Sequence, residues 1–297
     1  MSLVRDALTW VDTGAVAYPA LHKKIIELTM PALVVKKLFP EFPLVAGKTA
    51  TFVKQSGSRS AAISELSEGV EIPMDFTPYS TVTVTPYKKG LRERISRENI
   101  EDLYIPVIEG QLRRLARRMA YTIDLDCMNV IGAGAAQTSA GSGISLGATG
   151  TEFTISGGLG TKDILNAKAK IEAYNFIPDS ILLNPINARD VMYLPQFSLH
   201  MQYGEPVIQT GMIGTIYGMA VYITTVVSAG TAYVLSTGSN LSASYAPMGF
   251  FIIKRPLLTD LEIKKEFDSV DVTLTTRYAP VVLNGEAIFK VTGLATA

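Results

Sequence analysis

The residues that could support catalysis or metal binding are few and far apart. The chain has two histidines, His22 and His200, and one cysteine, Cys127, so a site with several histidine or cysteine ligands is not expected. Asp124 and Asp126 are two positions apart in a helical pattern, which directs their carboxylates to different sides of a helix and argues against a catalytic pair there. The sequence therefore predicts no catalytic residue, no metal site and no cofactor.

Glycine-rich segments do not match nucleotide-binding patterns either. Gly132 and Gly134 follow a helical pattern instead of a strand, whereas the dinucleotide fingerprint requires strand, glycine turn and helix in that order. The segment GGLGTKD at 157–163 lacks the spacing of a phosphate loop and is read as the lead into a helix. No nucleophile elbow of the GxSxG type is present.

One cluster of charge stands out, and it contains Arg113, Arg114, Arg117 and Arg118. Two like-charged pairs at i, i+4 spacing lower the stability of a helix unless anions lie nearby. Two interpretations remain open: salt bridges to a neighbouring segment or subunit, or a surface that faces phosphate groups. The neutral charge of the whole chain favours the salt bridges.

Charge is scarce in this sequence. Its 297 residues include 27 Lys plus Arg and 27 Asp plus Glu, so the net charge is zero and charged residues make up 18%. Ordinary soluble domains have about 25% charged residues. The neutral balance argues against nucleic-acid binding by bulk charge, and the scarcity suggests that much of the surface lies in contacts with other copies.

A stretch without any charged residue runs from 206 to 253. It is long enough to cross a bilayer, but repeated glycines, Pro247 and many Thr and Ser residues interrupt it, so no continuous apolar helix of about 20 residues fits. We expect buried strands and loops here, and no membrane as a partner.

The first 46 residues have the pattern of an extended arm. Prolines recur, and a helical pattern appears only at 19–30. An arm cannot bury its own apolar side chains, so their cover is expected from the body of the same subunit or from a neighbour. These side chains are Leu33, Val34, Val35, Leu38, Phe39 and Phe42.

Residues 47–92 predict a long hairpin with a large, polar tip. Strand alternation is present around Ala50 and again at 80–87. The tip contains Glu65, Glu68 and Glu71, for which a solvated or intersubunit ionic role is expected. Two strands alone are barely stable, so the apolar residues of the hairpin should find cover on an adjacent subunit. They are Phe52, Ile63, Val70, Ile72, Val82 and Val84.

The clearest helix begins at Pro106 and runs to about residue 131, with an amphipathic stripe at spacings of three and four residues. The glycine- and alanine-rich residues 132–150 are interpreted as a loop, and a second helix is expected at 162–173. Strand patterns dominate from about residue 180 to the end. The fold class is therefore α+β.

This order of elements resembles the major capsid proteins of tailed phages and related archaeal viruses, which have the Hong Kong 97-type fold. The resemblance lies in the arm, the hairpin, ENIEDLYIPVIEGQLRRLARRMAYTIDLDCMNVI, SILLNPINARDVM, GTIYGMAVYITTVV and the closing FFIIKRPLLTDLEIKKEFDSVDVTLTTRYAPVVLNGEAIFKVTG. It implies a structural protein, not an enzyme, that self-assembles through pentamers and hexamers into an icosahedral shell around double-stranded DNA. The location would be the virion, and the host cytoplasm during assembly.

The resemblance also implies a role for each part of the chain. It implies an N-arm at 1–46, an E-loop at 47–92, a P-domain at 93–184 with a spine helix at about 106–131, an A-domain at 185–245, and P-domain return strands at 246–297. The uncharged stretch suits an A-domain, because surface hidden at the centre of a ring of subunits need not be charged.

Some relatives cross-link a lysine of the E-loop to an asparagine of another subunit, and Lys54 and Asn284 are the conceivable pair here. Their sequence surroundings do not show the acid that this chemistry requires, so an E-loop held without a covalent bond is the alternative. Further partners of such shells are scaffolding, portal and decoration proteins. Because the arm begins at residue 1, we do not expect a long N-terminal scaffolding region here.

Two other classes of protein remain as alternatives. An encapsulin-type nanocompartment has a similar fold but packages a cargo enzyme, and packaged DNA would distinguish the capsid from it. A soluble enzyme with an unrecognised site has no positive feature in the sequence, and a monodisperse monomer would favour it.

The hairpin gives a first prediction. Replacing residues 58–77 with a short Gly-Ser turn should leave the subunit folded, because the tip adds nothing to the core of its own subunit. The same change should prevent stable shells, because a small loss at each contact multiplies across a closed assembly. Circular dichroism checks the fold, and sedimentation checks the assembly. Normal particles of wild-type thermal stability would show that the E-loop assignment is wrong.

Overall fold

A computed structural model describes residues 33–55, 79–96, 98, 107–136, 152–157, 159–192, 212–238 and 247–294. In chain order its strands are β1 (Glu41–Pro43), β2 (Ala50–Gln55), β3 (Tyr79–Val84), β4 (Tyr87–Ser96), β5 (Glu152–Gly157), β6 (Ser180–Leu183), β7 (Met212–Ile216), β8 (Met219–Ile223), β9 (Thr231–Leu235), β10 (Gly249–Lys264), β11 (Ser269–Val282) and β12 (Ile288–Leu294). Its helices are α1 (Val107–Ala136), α2 (Thr161–Ala173) and α3 (Pro185–Met192). The predicted α+β class is confirmed.

Helix α1 starts where the sequence predicted, but it continues past residue 131 to Ala136. The helix continues through the glycines there, and one of them allows it to pack closely against a strand. A Cβ added to Gly134 would lie 2.8 Å from Cγ1 of Val282, so only a glycine lets the helix approach β11 this closely. The expectation of a loop from residue 132 is therefore wrong for 132–136, and 137–150 lies outside the described residues.

Four strands form a long sheet in the order β1-β10-β11-β4. Strand β1 is parallel to β10, and the other pairs are antiparallel. Because side chains alternate between the faces of a strand, Leu91, Ile95, Val272 and Leu274 share one face, which we call the inner face. They pack in the same hydrophobic cluster as the buried stripe of α1. The outer face points away from this helix.

Six strands form a second sheet in the order β5-β12-β9-β6-β8-β7. Helices α2 and α3 bury Ile164, Ile171 and Val191 in the cluster formed with this sheet. Strands β7, β8 and β9 come from the uncharged stretch, so the predicted strands are confirmed there. The range 185–245 predicted for the A-domain does not contain the whole of this sheet. Strands β5 and β12 lie outside that range, and β12 pairs with both β5 and β9.

Strands β2 and β3 form a separate two-stranded hairpin, with Phe52 opposite Val82 and Ala50 opposite Val84. The face that carries these residues packs against the outer face of the long sheet, next to Ile252. Phe52, Val82 and Val84 are therefore partly covered by their own subunit, and their expected contact with an adjacent subunit stays a prediction. The sheet supplies part of that cover because the base of the hairpin lies on it.

The hairpin also ends earlier in sequence than expected. Residues 87–92 belong to β4, which pairs with β11 along its length from Tyr87 to Ser96. The tip, with Ile63, Val70 and Ile72, lies outside the described residues.

The first part of the described arm, residues 33–39, packs against its own subunit, whereas Phe42 and Val45 are exposed. Leu33, Val35, Leu38 and Phe39 are buried in the cluster that contains the stripe of α1. The helical pattern at 19–30 lies outside the described residues. Among the described helices, none is both long and apolar enough to cross a membrane.

Candidate assembly site

The arm is held by a buried carboxylate of α1. Asp124 is 2% exposed. The backbone N–H groups of Val34 and Lys36 donate hydrogen bonds to its two carboxylate oxygens, at 2.8 and 3.0 Å. Burial raises the pKa of Asp124, and the backbone hydrogen bonds oppose this by favouring the ionised form. Asp124 therefore joins the arm to the helix through backbone groups that any sequence would present.

The second aspartate of the pair attaches the same helix to the long sheet. Lys89 Nζ lies 2.7 Å from Oδ1 of Asp126, and the hydroxyl of Tyr278 donates to Oδ2 at 2.5 Å. Burial and the hydrogen bond to Asp126 raise the pKa of Tyr278. As expected from their spacing, the two aspartates serve different sides of the helix. Their structural roles were missed, because the partners lie up to 152 residues away.

Two cations and two stacked rings lie beside these carboxylates. The rings of Phe251 and Tyr278 stack with centroids 5.1 Å apart. Lys36 Nζ lies 5.1 Å from the centroid of Phe251, and Lys89 Nζ lies 6.0 Å from that of Tyr278. Such cation–π contacts contribute about 0.5–1 kcal/mol each at exposed sites and more when buried. The cluster joins the arm, β4, β10 and β11 at one place on α1.

All four arginines of the predicted cluster are exposed on α1. Arg114 forms an ion pair at 2.5 Å with Glu93 of β4, a neighbouring segment of the same subunit. Arg117 and Arg118 project beside Tyr121, which is also exposed. Glu109 precedes Arg113 by four residues on the same helix, and its side chain lies outside the described residues.

A fully buried carboxylate, Asp271, holds two arginines on the outer face of the long sheet. Arg94 Nε donates to Oδ1 at 2.8 Å, and Arg92 donates to Oδ2. The guanidinium of Arg94 also lies 4.4 Å from the ring centroid of Phe267, which is 60% exposed. A buried charge is tolerated only when it is paired, so Asp271 and the two arginines form one structural unit.

Three aromatic rings connect the arm to the hairpin. The ring of Phe52 stacks on that of Phe250 at 5.4 Å, and Phe42 of the arm meets both rings edge-on, at 5.4 and 6.1 Å. On the opposite face of the hairpin, Val53 and Tyr79 are 68% and 71% exposed. The hairpin therefore has one face anchored in its own subunit and one face uncovered.

The residues of the conceivable cross-link are placed only in part. Lys54 lies on β2 opposite Ser80, and its side chain lies outside the described residues. The Asn284 side-chain amide donates to the carbonyl of Pro247 at 3.0 Å. The bond would join different subunits, so it stays a prediction.

Within the described ranges, no group of three or more His, Cys, Asp or Glu residues could hold a metal ion. Cys127 is buried, and this burial raises the pKa of its thiol. Cys127 therefore lies in the core, and Asp124 and Asp126 take part in structural hydrogen bonds and ion pairs.

The fold matches that of known capsid proteins. A capsid structure of the cyanophage P-SCSP1u has a TM-score of 0.63 and 13% identity, covering 89% of this chain and 89% of that chain. A structure from Microbacterium phage Oxtober96 has a TM-score of 0.64 and 12% identity, covering 89% and 91%. An encapsulin complex from Synechococcus elongatus PCC 7942 has a TM-score of 0.58 and 12% identity, covering 88% and 87%. At these identities, the likeness shows the fold, which is of the Hong Kong 97 type.

The sequence itself identifies the family. The phage capsid protein family matches residues 79–291, well over half of the chain. The chain therefore belongs to the phage capsid protein family, as the resemblance implied. It is a structural protein of the virion capsid that assembles with copies of itself. No curated protein matches the sequence.

The role of Asp124 gives a second prediction. Asp124→Ala removes the acceptor of two backbone N–H groups and leaves them unpaired, at a cost of about 1–3 kcal/mol for each buried group. We expect the free energy of unfolding to fall by about 2–4 kcal/mol, with faster hydrogen exchange at Val34 and Lys36. Asn129→Ala, at an exposed position of the same helix, is the matched control and should have little effect.

The raised pKa of Asp124 also predicts how the stability of the subunit changes with pH. As the pH rises from about 4, the unfolded chain releases this proton before the folded subunit does. This group therefore lowers the stability of the wild type between the two pKa values and adds no further change above the folded one. Asp124→Asn cannot ionise, so its stability relative to the wild type should increase with pH in that window. Urea denaturation between about pH 4 and about pH 8 measures this, and a constant difference would contradict it.

Proposed function

We propose that this protein is a major capsid protein that forms pentamers and hexamers and closes them into an icosahedral shell around double-stranded DNA. The observation that carries the proposal is the match of residues 79–291 to the phage capsid protein family. A structural neighbour described as the mature capsid of bacteriophage PhiM1, with a TM-score of 0.59, supports the same function. Scaffolding, portal and decoration proteins are the proposed further partners, and the host cytoplasm is the proposed site of assembly.

The proposed roles of the parts follow the resemblance. The arm serves as the N-arm, the hairpin as the E-loop, the segment with α1 as the P-domain, and the segment around β7 to β9 as the A-domain. The closing strands β10 to β12 then return to the P-domain. The exposed face of the hairpin supports the second of these roles, because Val53 and Tyr79 can become buried only by something outside the described subunit.

The remaining hairpin contacts are also part of the proposal. Phe52, Val82 and Val84 are half-buried in their own subunit, which leaves area for a neighbour to cover. Ile63, Val70 and Ile72 of the tip are proposed to contact that neighbour.

The E-loop is proposed to be held without a covalent bond. The Asn284 amide already donates to a carbonyl of its own subunit, which supports this version over a Lys54–Asn284 cross-link. Denaturing electrophoresis of assembled particles decides between the two. Monomeric bands support the noncovalent contact, and a ladder of linked subunits supports the cross-link.

The third prediction concerns assembly. At native concentration, the purified protein should sediment as shells or rings, and electron micrographs should show closed particles. Particles that contain DNA support a capsid, whereas particles that contain a protein cargo support the encapsulin alternative, whose fold is also similar. A stable monomer under all salt and pH conditions would contradict assembly and favour a soluble enzyme.

The fourth prediction concerns the exposed arginines of α1. We propose that some of Arg113, Arg114, Arg117 and Arg118 face the interior and contact DNA phosphates, since basic side chains supply most of the affinity for nucleic-acid backbones. Replacing all four with glutamine should reduce the DNA content of particles more than it reduces their number. The difference from the wild type should shrink as the salt concentration rises, because salt weakens the phosphate contacts that only the wild type makes.

An opposite result has a defined meaning. If assembly fails while the isolated subunit stays folded, the arginines are intersubunit salt-bridge partners. The single variant Arg114→Gln is the control for the intramolecular pair with Glu93, and it should change DNA content least.

A further inference from the structure

Three cations stand side by side on the outer face of the long sheet, and we call them the cation row. Strand register places Arg255 of β10 opposite Arg277 of β11, and Arg277 opposite Lys88 of β4. Arg277 and Lys88 share the alternation of Asp271, so their side chains are on the outer face. The guanidinium of Arg255 reaches the hydroxyl of Thr275, at 3.3 Å, on this same face.

The cation row lacks a counter-charge in the described part of the chain. Like charges directly opposite each other on neighbouring strands destabilise a sheet. Two acids of the same face are already paired, because Asp271 holds Arg92 and Arg94, and Glu262 pairs with Lys264. Among the described residues, no acidic side chain pairs with any member of the row. A bound anion would therefore relieve the repulsion between the three cations.

Two of the three cations are fixed in place and still have donors to offer. Arg277 donates through Nε to the carbonyl of Pro86 at 3.1 Å, so its terminal N–H groups remain for another acceptor. Arg255 donates through one terminal nitrogen to Thr275, and its buried Nε has no acceptor within the described ranges. The side chain of Lys88 is exposed. The row therefore presents guanidinium donors that are already oriented.

The surface beside the row has room for a small ligand. Gly90 lies opposite Thr275 at the adjacent level of the sheet, and it has no side chain to cover the strands. A Cβ at Gly90 would lie 2.8 Å from a backbone oxygen of β11, so the position stays without one. The hydroxyl of Thr275 accepts from Arg255 and can donate its own proton to a ligand. On the other side, the base of the hairpin packs next to Ile252 and borders the row.

The number of cations favours phosphate over a carboxylate. A carboxylate supplies one negative charge and two oxygens, whereas a phosphate group supplies about 1.5 to 2 charges at pH 7 and three strong acceptor oxygens. Guanidinium groups also match phosphate oxygens in a bidentate manner. A single phosphate can therefore accept from all three members of the row.

We propose that the cation row, together with Thr275, is a binding site for a phosphate oxyanion, supplied by inorganic phosphate or by a nucleic-acid backbone. The site belongs to one subunit, so it does not depend on the assembly of a shell. Pro86 lies between β3 and β4, and Arg277 binds its carbonyl. Bound phosphate would thus also steady the connection between the hairpin and the long sheet.

Titration calorimetry of the full-length protein with sodium phosphate, at an ionic strength held constant with sodium chloride, tests the site. Lys88→Gln and Arg277→Gln should each weaken phosphate binding by about tenfold or more, because each removes a charged hydrogen-bond donor. Lys162→Gln, at an exposed position of α2, is the matched control and should bind as the wild type does. The variant with all four α1 arginines replaced should also retain this affinity for inorganic phosphate.

Thermal unfolding separates ligand binding from a purely structural role. The melting temperature of the wild type should rise with phosphate concentration, and an equal ionic strength of chloride should not reproduce the rise. Without phosphate, Lys88→Gln should melt no lower than the wild type, since it removes one of the opposed like charges. With phosphate, the wild type should be the more stable of the two. A structural role for Lys88 would lower the melting temperature in both buffers.

A short DNA duplex distinguishes the two sources of phosphate. If the duplex displaces inorganic phosphate from the wild type, and Lys88→Gln weakens its binding, the backbone of nucleic acid reaches the row. If inorganic phosphate binds and the duplex does not displace it, the site is restricted to small anions. Both outcomes support a phosphate site.

Three results would overturn the proposal. The first is an equal stabilisation by chloride, which would indicate an adventitious ion only. The second is unchanged phosphate affinity in both Lys88→Gln and Arg277→Gln. The third is a loss of assembled particles in Lys88→Gln without any phosphate binding to the wild type, which would assign the row to carboxylates of another protein. None of these results contradicts the proposed shell, which sedimentation of the wild type tests separately.

Discussion

The subunit depends on the attachment of one long helix at two adjacent carboxylates. Asp124 binds the backbone of the arm, and Asp126 binds Lys89 and Tyr278 of the long sheet. Because residues two apart on a helix point in different directions, two elements can be fixed to one helix without competing for its apolar stripe. The stripe then packs against both the inner face of the sheet and the apolar side chains of the arm. Polar attachment therefore adds direction to an arm that hydrophobic contacts already hold.

The periodic part of the fold could be predicted from the sequence. The stripe of α1, the alternation of β2 and β3, and the uncharged strands β7 to β9 all follow from local patterns, and their order was enough to suggest the family. The predicted end of α1 was wrong because the glycine- and alanine-rich residues from 132 onward were interpreted as a loop, whereas Gly134 lies within the helix, where the close approach to Val282 requires a glycine. No local pattern distinguishes these two uses of glycine.

The contacts that join distant segments could not be predicted. Asp126 and Tyr278 are 152 residues apart, and the long sheet sets Lys88, Arg277 and Arg255 opposite one another on three neighbouring strands. Only strand register brings such residues together, and a shift of one residue in any strand would move its side chains to the other face. The arginine cluster was visible because its members are adjacent in sequence. The cations on the outer face of the long sheet were not recognised as one set, since Lys88, Arg92 and Arg94 lie on β4, Arg255 on β10 and Arg277 on β11.

The contact between Phe42, Phe52 and Phe250 links two parts of the subunit thermodynamically. The arm and the hairpin share one ring of the sheet as their support, so neither can rotate without changing the environment of the other. Subunits in a shell of pentamers and hexamers would occupy sites of differing curvature, and each site would impose its own hairpin angle. Because both pack on Phe250, the angle of the hairpin and the position of the arm are energetically coupled, so a change in one alters the free energy of the other. In such a shell, a change in the angle of the hairpin would be accompanied by a change in the position of the arm.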